Sequence, residues 1–450
     1  MNLRWLLLLG ALSAVPMVGC DSKSKDSKAE KADEDDEDDA KEKKKKKDKD
    51  KDKGKVGGDK SAKASGEPSA SVPPALPAPP SGPAPVAPLS KEKFAEFLKD
   101  KSAPLTADAF ETALLGLAEC RLETSSIDYK CQALKDFHEA SSHKSEDFKT
   151  QGMVALKHLR HPANAVRFKA AFEASLRAFS YDAPKEGPAQ YLEAAKAETD
   201  PIVLAQQVSH LTSGGRKNPE IRAFLMETVD HKEPRVREAA ARILGDAEVL
   251  AATSGGFDKL LAKTQSDPDT GVRAAACSGL GSTQDPKALP VFKQLLDDAS
   301  TADELKQGCW DGLIETWVAL PYPKAPLKEG FELVMKGLEA KPRNKNTPPW
   351  RGLSKLQWAK TEFKNYDKSG AEWYGKVKPY YDQPRLIKAL ESIALDKDAN
   401  TSARSDVLYT LRQFKQQKLL ATIATALKKQ GADAKYLAER ADKLSKEKDK

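Results

Sequence analysis

Catalytic signatures are missing from this chain of 450 residues. It has no H-E-x-x-H, no G-x-S-x-G, no glycine-rich phosphate loop with its lysine and no C-x-x-C, so common metallopeptidase, serine-hydrolase, nucleotide-binding and dithiol chemistries have no sequence support. Net charge is also small. The formal value of +7 is the remainder of 74 basic and 67 acidic residues, which gives no overall nucleic-acid footprint. No apolar run reaches the roughly 20 residues that span a bilayer. Histidine is scarce, and the two local pairs, His138 with His143 and His158 with His161, are close enough to share a metal but have no acidic or thiol partner assigned to them. Near helix ends they are explained by the helix dipole rather than by metal binding. Asp267-Pro-Asp269-Thr-Gly271 opens like a calcium loop, but the twelfth place, which needs a bidentate Glu, is Ser278, so a capped turn is expected. No metal, no cofactor and no enzyme activity are expected on these grounds.

What is present begins with an address. Arg4 flanks an apolar stretch from Trp5 to about Val15, and Met17-Val18-Gly19 precedes Cys20. The layout is that of a cleaved export signal, and it resembles a bacterial lipoprotein signal peptide with its lipobox, although Met17 stands where that family usually has Leu. The resemblance implies residues 1–19 as signal peptide, lipid on Cys20 as the membrane anchor, and a periplasm-facing place in the cell envelope. Asp21 resembles an inner-membrane retention signal, and inner versus outer membrane stays open.

Residues 20–88 read as a disordered tether. No aromatic residue occurs from Asp21 to Lys93, Asp33 to Asp39 is an unbroken acidic run, and Lys43 to Lys47 is unbroken lysine; such a tract buries too little apolar surface to offset its ordering entropy. From Glu67 to Pro88 the composition turns to Pro, Ala and Ser, which favours extended, semi-rigid conformations. The lysine block reads as part of a solvated polyampholyte, with anionic lipid or cell-wall polymer as the functional alternative.

From residue 89 to 450 one pattern repeats. An apolar residue is followed by a basic one, a small residue at the fifth place and an apolar one at the ninth: VREAAARIL from Val236 and VRAAACSGL from Val272, with looser copies from Tyr129, Val166, Val203, Leu305 and Ala403. The first six starts, 129, 166, 203, 236, 272 and 305, differ by 37, 37, 33, 36 and 33 residues. So regular a period is a stacked-repeat signature. Small and apolar residues recur at helical spacing, and a second amphipathic segment precedes each copy, as in PEIRAFLMETV, GFDKLLAKTQ and KALPVFKQLLDD. Between the two lie turns such as DHKEP and SDPDTG, with Asp and Pro placed to start the second helix. The unit is a helical hairpin, and alanines such as Ala240 and Ala276 let neighbouring helices approach.

At VREAAARIL and VRAAACSGL, with their turns, the chain resembles the HEAT repeat family, especially its short bacterial variety. The resemblance implies an all-α fold, an α-solenoid of stacked helical hairpins (a HEAT/armadillo-type superhelix). It also implies that turn aspartates pair between neighbouring units with a ladder of arginines, here Arg167, Arg237, Arg273 and Arg404. Lys306 keeps the charge, whereas Leu204 interrupts the ladder. Solenoids of this family usually bind other proteins, so a protein-binding scaffold is the expected function, with a partner of unknown identity and no nucleic acid. Some relatives are pigment lyases, which nothing at these positions supports.

The period breaks at about 321–384. FELVMKGLEA from Phe331 still reads as a first helix and LSKLQWAKTEF from Leu353 as a degenerate second one. Between Lys341 and Tyr381 there are ten Lys or Arg, three acids and eight aromatics. Trp350, Arg351, Trp358, Trp373 and Tyr374 are the candidate binding residues, suited to a cell-wall polysaccharide or an acidic protein face; the alternative is an expanded repeat filling its own core. Trp310 and Trp317, seven apart, read as core.

Four cysteines besides Cys20 allow two bridges in an oxidising compartment. Cys120 closes one helix and Cys131 lies near the start of the next, so the two can meet. Cys277 and Cys309 hold nearly matching places in adjacent units, but packed helices stand about 8–10 Å apart and a bridge needs Cα atoms within about 7 Å, so buried free thiols are the alternative there.

Overall fold

The computed structural model describes residues 87–145, 147–178, 186–318, 328–341 and 382–447. Cys20, the tether and the basic-aromatic residues Trp350, Arg351, Trp358, Trp373 and Tyr374 lie outside these residues. The described residues all belong to one compact unit, Pro80–Lys450, and among them there are helices and two isolated β-bridges but no strand.

The helices are α1 (Lys91–Lys99), α2 (Ala107–Gly116), α3 (Gln132–Ser141), α4 (Phe148–Lys157), α5 (Asn164–Ala178), α6 (Gly187–Ala197), α7 (Pro201–Ser209), α8 (Thr212–Lys217), α9 (Pro219–Thr228), α10 (Pro234–Leu244), α11 (Ala247–Ala251), α12 (Gly256–Ser266), α13 (Thr270–Gly281), α14 (Ala288–Asp297), α15 (Asp303–Val318), α16 (Lys328–Glu339), α17 (Gln383–Leu395), α18 (Thr401–Gln413), α19 (Gln417–Lys428) and α20 (Lys435–Lys446). They stack as hairpins into an α-solenoid. First helices α4, α6, α9, α12 and α14 pack on second helices α5, α7, α10, α13 and α15, and each of these second helices packs on the next. The same pairing recurs as α17 on α18 and α19 on α20.

Local chemistry starts these helices where the sequence places them. Asp200 accepts the N–H groups of Ile202 and Val203, with Pro201 at the first position of α7, and Asp269 accepts the N–H of Val272 to cap α13; both satisfy donors that the helix itself cannot. Pro234 opens α10, whose cap residue Glu233 makes no side-chain cap bond. The repeating apolar positions are then buried: Val166, Val203, Val236, Val272 and Leu305 are at most 1% exposed. So are the small fifth positions Ala170, Ala240 and Ala276.

Three features differ from the sequence reading. The copy from Tyr129 is truncated, because α3 begins only at Gln132 and Tyr129 is 69% exposed; Cys131 caps the helix and Tyr129 precedes it in a turn. Short helices α8 and α11 are inserted beside the hairpins of α9 and α12, each too brief for periodicity to reveal. The largest difference is the spacing of α13 and α15. Gly281, Gly308 and Gly312 lie where an added Cβ would collide with the backbone of the facing helix, at Gly312, Ala274 and Cys277 respectively. Backbone therefore meets backbone, and the two helices come closer than ordinary side-chain-mediated packing allows. Cys277 and Cys309 then have Cα atoms 5.1 Å apart and are bridged, in place of the free thiols that ordinary spacing favours.

Candidate functional site

The turns between first and second helices carry one construction four times. Six residues before the second place of its unit, His161, Glu198, His231 or Asp267 turns its side chain back onto the chain. His161 and His231 accept the N–H of Ala163 and Glu233 through Nδ1, each at 3.1 Å. Glu198 accepts the Asp200 N–H at 2.9 Å and Asp267 the Asp269 N–H at 3.1 Å. An imidazole Nδ1 that accepts a backbone N–H carries no proton there.

Arginines of the repeat ladder then tie one turn to the next. Arg167 donates to two carbonyls of its own turn, His161 and Pro162, at 2.8 and 2.9 Å, and to both carboxylate oxygens of Glu198 in the following unit at 2.7 and 3.1 Å. Arg237 repeats this, with the carbonyls of His231 and Lys232 at 3.0 Å and both oxygens of Asp267 at 2.9 and 2.8 Å. Burial pushes Asp267 up, but the bonds from Arg237, the Asp269 N–H and Lys263 outweigh it and hold its carboxyl below the usual range. Arg273 and Arg404 serve differently. Arg273 donates to the Thr264 carbonyl at 2.9 Å, and Arg404 to the Ala394 carbonyl at 2.9 Å and to Gln430 Oε1 at 2.7 Å. Leu204 has a rationale in this scheme: the following turn carries His231 where Glu198 and Asp267 stand elsewhere, so no acid awaits a cation.

Gln207 occupies the small fifth place of the α7 unit. It is fully buried, and neither its amide oxygen nor its amide nitrogen has a hydrogen-bond partner. Its backbone carbonyl accepts from the buried Tyr191 hydroxyl at 3.2 Å.

Two polar clusters lie on the second helices. On α5 and α7, Lys169 pairs with Glu173 at 3.3 Å and sits 4.7 and 5.0 Å from the ring centroids of Phe137 and Phe172. The half-buried His210 meets Phe172 edge-on at 5.4 Å and Gln206 Nε2 at 3.0 Å. Burial lowers its pKa to about 4. On α10, α13 and α15, the carboxylates of Glu238, Asp269 and Glu304 converge on the space left by the missing side chain of Gly271. Partial burial, then the charges of Glu238 and Asp269, raise the Glu304 pKa. Arg242 pairs with Glu238 from one side.

Sequence reasoning missed Glu111. On α2 it is 1% exposed and takes His158 Nε2 at 2.7 Å and Lys157 Nζ at 2.9 Å on one carboxylate oxygen. His158 is thus placed by an acid 47 residues away, which corrects the explanation from the helix dipole. The available signal was register, since Glu111 stands four residues after Ala107 and three before Leu114, on the apolar face of its helix. His138 and His143 have different neighbours: the His138 ring lies edge-on to Phe137 at 6.4 Å. The Nδ1 of His143 bonds the Ala103 carbonyl at 2.8 Å and its ring lies tilted against Phe97, with centroids 4.5 Å apart. Among the described residues no group of three or more His, Cys, Asp or Glu is arranged to hold a metal ion.

Both cysteine pairs are bridged, Cys120 to Cys131 with Cα atoms 5.7 Å apart and Cys277 to Cys309. Trp310 lies over Gly337 of α16, where an added Cβ would strike its ring; the side chain of Trp317 is outside the description. These elements define a helical-hairpin solenoid locked by an arginine–acid turn ladder and two disulfides. No protein-family model matches the chain, and no curated protein is similar to it.

Proposed function

We propose that this is an envelope lipoprotein, anchored by lipid on Cys20 and facing the periplasm, whose HEAT-like solenoid is a scaffold for a protein partner. The observation that carries the binding part is the junction of α10, α13 and α15. Glu238, Asp269 and Glu304 are gathered there around Gly271; partial burial and then the charges of Glu238 and Asp269 raise the Glu304 pKa, and a cationic surface adds to the neutralisation that Arg242 supplies at Glu238. A partner presenting lysines or arginines fits this place. Export is supported by the two disulfides, bonds that persist in oxidising compartments.

The anchor and the binding face are tested separately. Cys20→Ala moves the chain from the membrane fraction to the soluble one; retention in the membrane contradicts the lipid anchor. Charge reversal at Glu238 and Glu304 together lowers recovery of a cross-linked partner from intact membranes at least about tenfold, a coupling of roughly 1.4 kcal/mol. Unchanged recovery contradicts the binding face.

A further inference from the structure

The two disulfides differ in their access to solvent. Cys277 and Cys309 are fully buried, whereas Cys120 is 8% exposed and Cys131 is half-buried. Cys131 also occupies the N-cap of α3, held just outside the helix at φ −60° and ψ 124°, and no side chain caps the first turn. A disulfide sulfur is a poor acceptor for those N–H groups. A thiolate at the same place is a strong one, favoured by the unpaired donors and the helix dipole. Reduction therefore supplies α3 with the cap that it lacks when oxidised, and no comparable gain awaits the buried pair.

The bond closes a loop with a distant contact. Within it, Asp128 N–H donates to the Arg121 carbonyl at 2.9 Å and Glu123 N–H to the Ser126 carbonyl at 2.8 Å. Ile127 is buried, and Leu122 bridges to it. At the tip, the Thr124 carbonyl accepts from Arg235 at the start of α10 at 2.5 Å, 111 residues along the chain. A bond at the base of this loop thus governs how firmly its tip is held against a helix of another repeat unit.

We infer that Cys120–Cys131 is a dithiol-exchangeable latch on the loop from Arg121 to Lys130, and that Cys277–Cys309 is an inert staple. A thiolate of a dithiol reductant attacks Sγ of Cys131, the more exposed sulfur. The protein S–S bond breaks, its electron pair leaves on Sγ of Cys120, and that sulfur takes a proton from water. The second thiol of the reductant then gives up its proton to water and attacks the reductant sulfur of the mixed disulfide, which closes the reductant's own disulfide and releases Cys131 as a thiolate at the N-cap. Two electrons pass from the dithiol to the protein.

The test treats the folded full-length protein with dithiothreitol, quenches with an alkylating agent and reads each cysteine by mass spectrometry. Cys120 and Cys131 are expected to label at least about tenfold faster than Cys277 and Cys309; simultaneous labelling of all four, or earlier labelling of the buried pair, overturns the assignment. In a Cys120→Ser variant, Cys131 is expected to alkylate with a midpoint below the ordinary thiol value of about 8.5, and an ordinary profile removes the capping argument. Hydrogen exchange completes the test. Reduction of the first bond alone is expected to raise exchange across residues 121–130 and at the start of α10 while α13 and α15 stay protected, and an unchanged loop overturns the latch.

Discussion

Gln207 sets an amide where three other repeat units place Ala170, Ala240 and Ala276. Leaving both amide atoms buried and unpaired costs about 1–3 kcal/mol per group, so Gln207→Met, which keeps the length and removes the polar atoms, is expected to raise the denaturation midpoint. A lowered midpoint means that internal water pairs the amide. Arg237 and Asp267 present the opposite case, a buried pair in which both carboxylate oxygens are met by the guanidinium. Arg237→Met strands the Asp267 charge and is expected to cost about 3–5 kcal/mol in chemical denaturation. A loss below about 1 kcal/mol would show the ladder to be decorative. His210 gives a pH signature. Its pKa falls from the ordinary 6.5 to about 4 on folding, so the unfolded chain takes up its proton first as pH drops. Its contribution is complete above pH 6.5 and is lost progressively toward pH 4. Glu173 opposes this lowering and Lys169 adds to it. His210→Asn is expected to flatten the decline of stability across that window, and an unaltered slope assigns it to other groups.

At the scale of the element, helix identity and pairing were largely legible. α9, α10, α12, α13, α14 and α15 fall on the segments that periodicity marks, and where turn chemistry speaks, in the Pro starts of α9 and α10 and the Asp269 cap of α13, it agrees with the apolar faces. α3 was misread at its start because Tyr129, although apolar and in register, precedes a half-buried cysteine cap rather than a helix. The Cys277–Cys309 bridge was hidden for another reason: a standard helix separation was assumed, while the deciding residues were glycines. Gly308 and Gly312, four apart on α15, with Gly281 on α13, were the available signal. Gly312→Ala puts a methyl against the Cys277 carbonyl, which is expected to destabilise by about 1–3 kcal/mol or more. It also leaves Cys277 and Cys309 open to alkylation in the unfolded protein. Normal stability with an intact bridge contradicts the close backbone approach.

At the scale of the whole molecule, the stack buries a continuous apolar core from α2 to α20, while its turns are knitted by Arg167–Glu198 and Arg237–Asp267 across successive units. Rungs alternate with histidine turns, and the sequence shows why only in retrospect: the partner of each arginine lies 31 or 30 residues away, one repeat further on, where spacing alone does not say which acid faces it. The acidic junction was illegible for the same reason. Glu238, Asp269 and Glu304 belong to three units and converge only when these stack. The most direct test of the scaffold reading is photo-cross-linking from intact membranes, with the reactive group at Ser278 on α13 in chains with and without Lys341 to Tyr381. The solenoid account predicts one partner captured by both chains and lost on charge reversal at Glu238 and Glu304. Capture that survives the reversal but disappears with the deletion contradicts it and assigns recognition to the basic-aromatic segment.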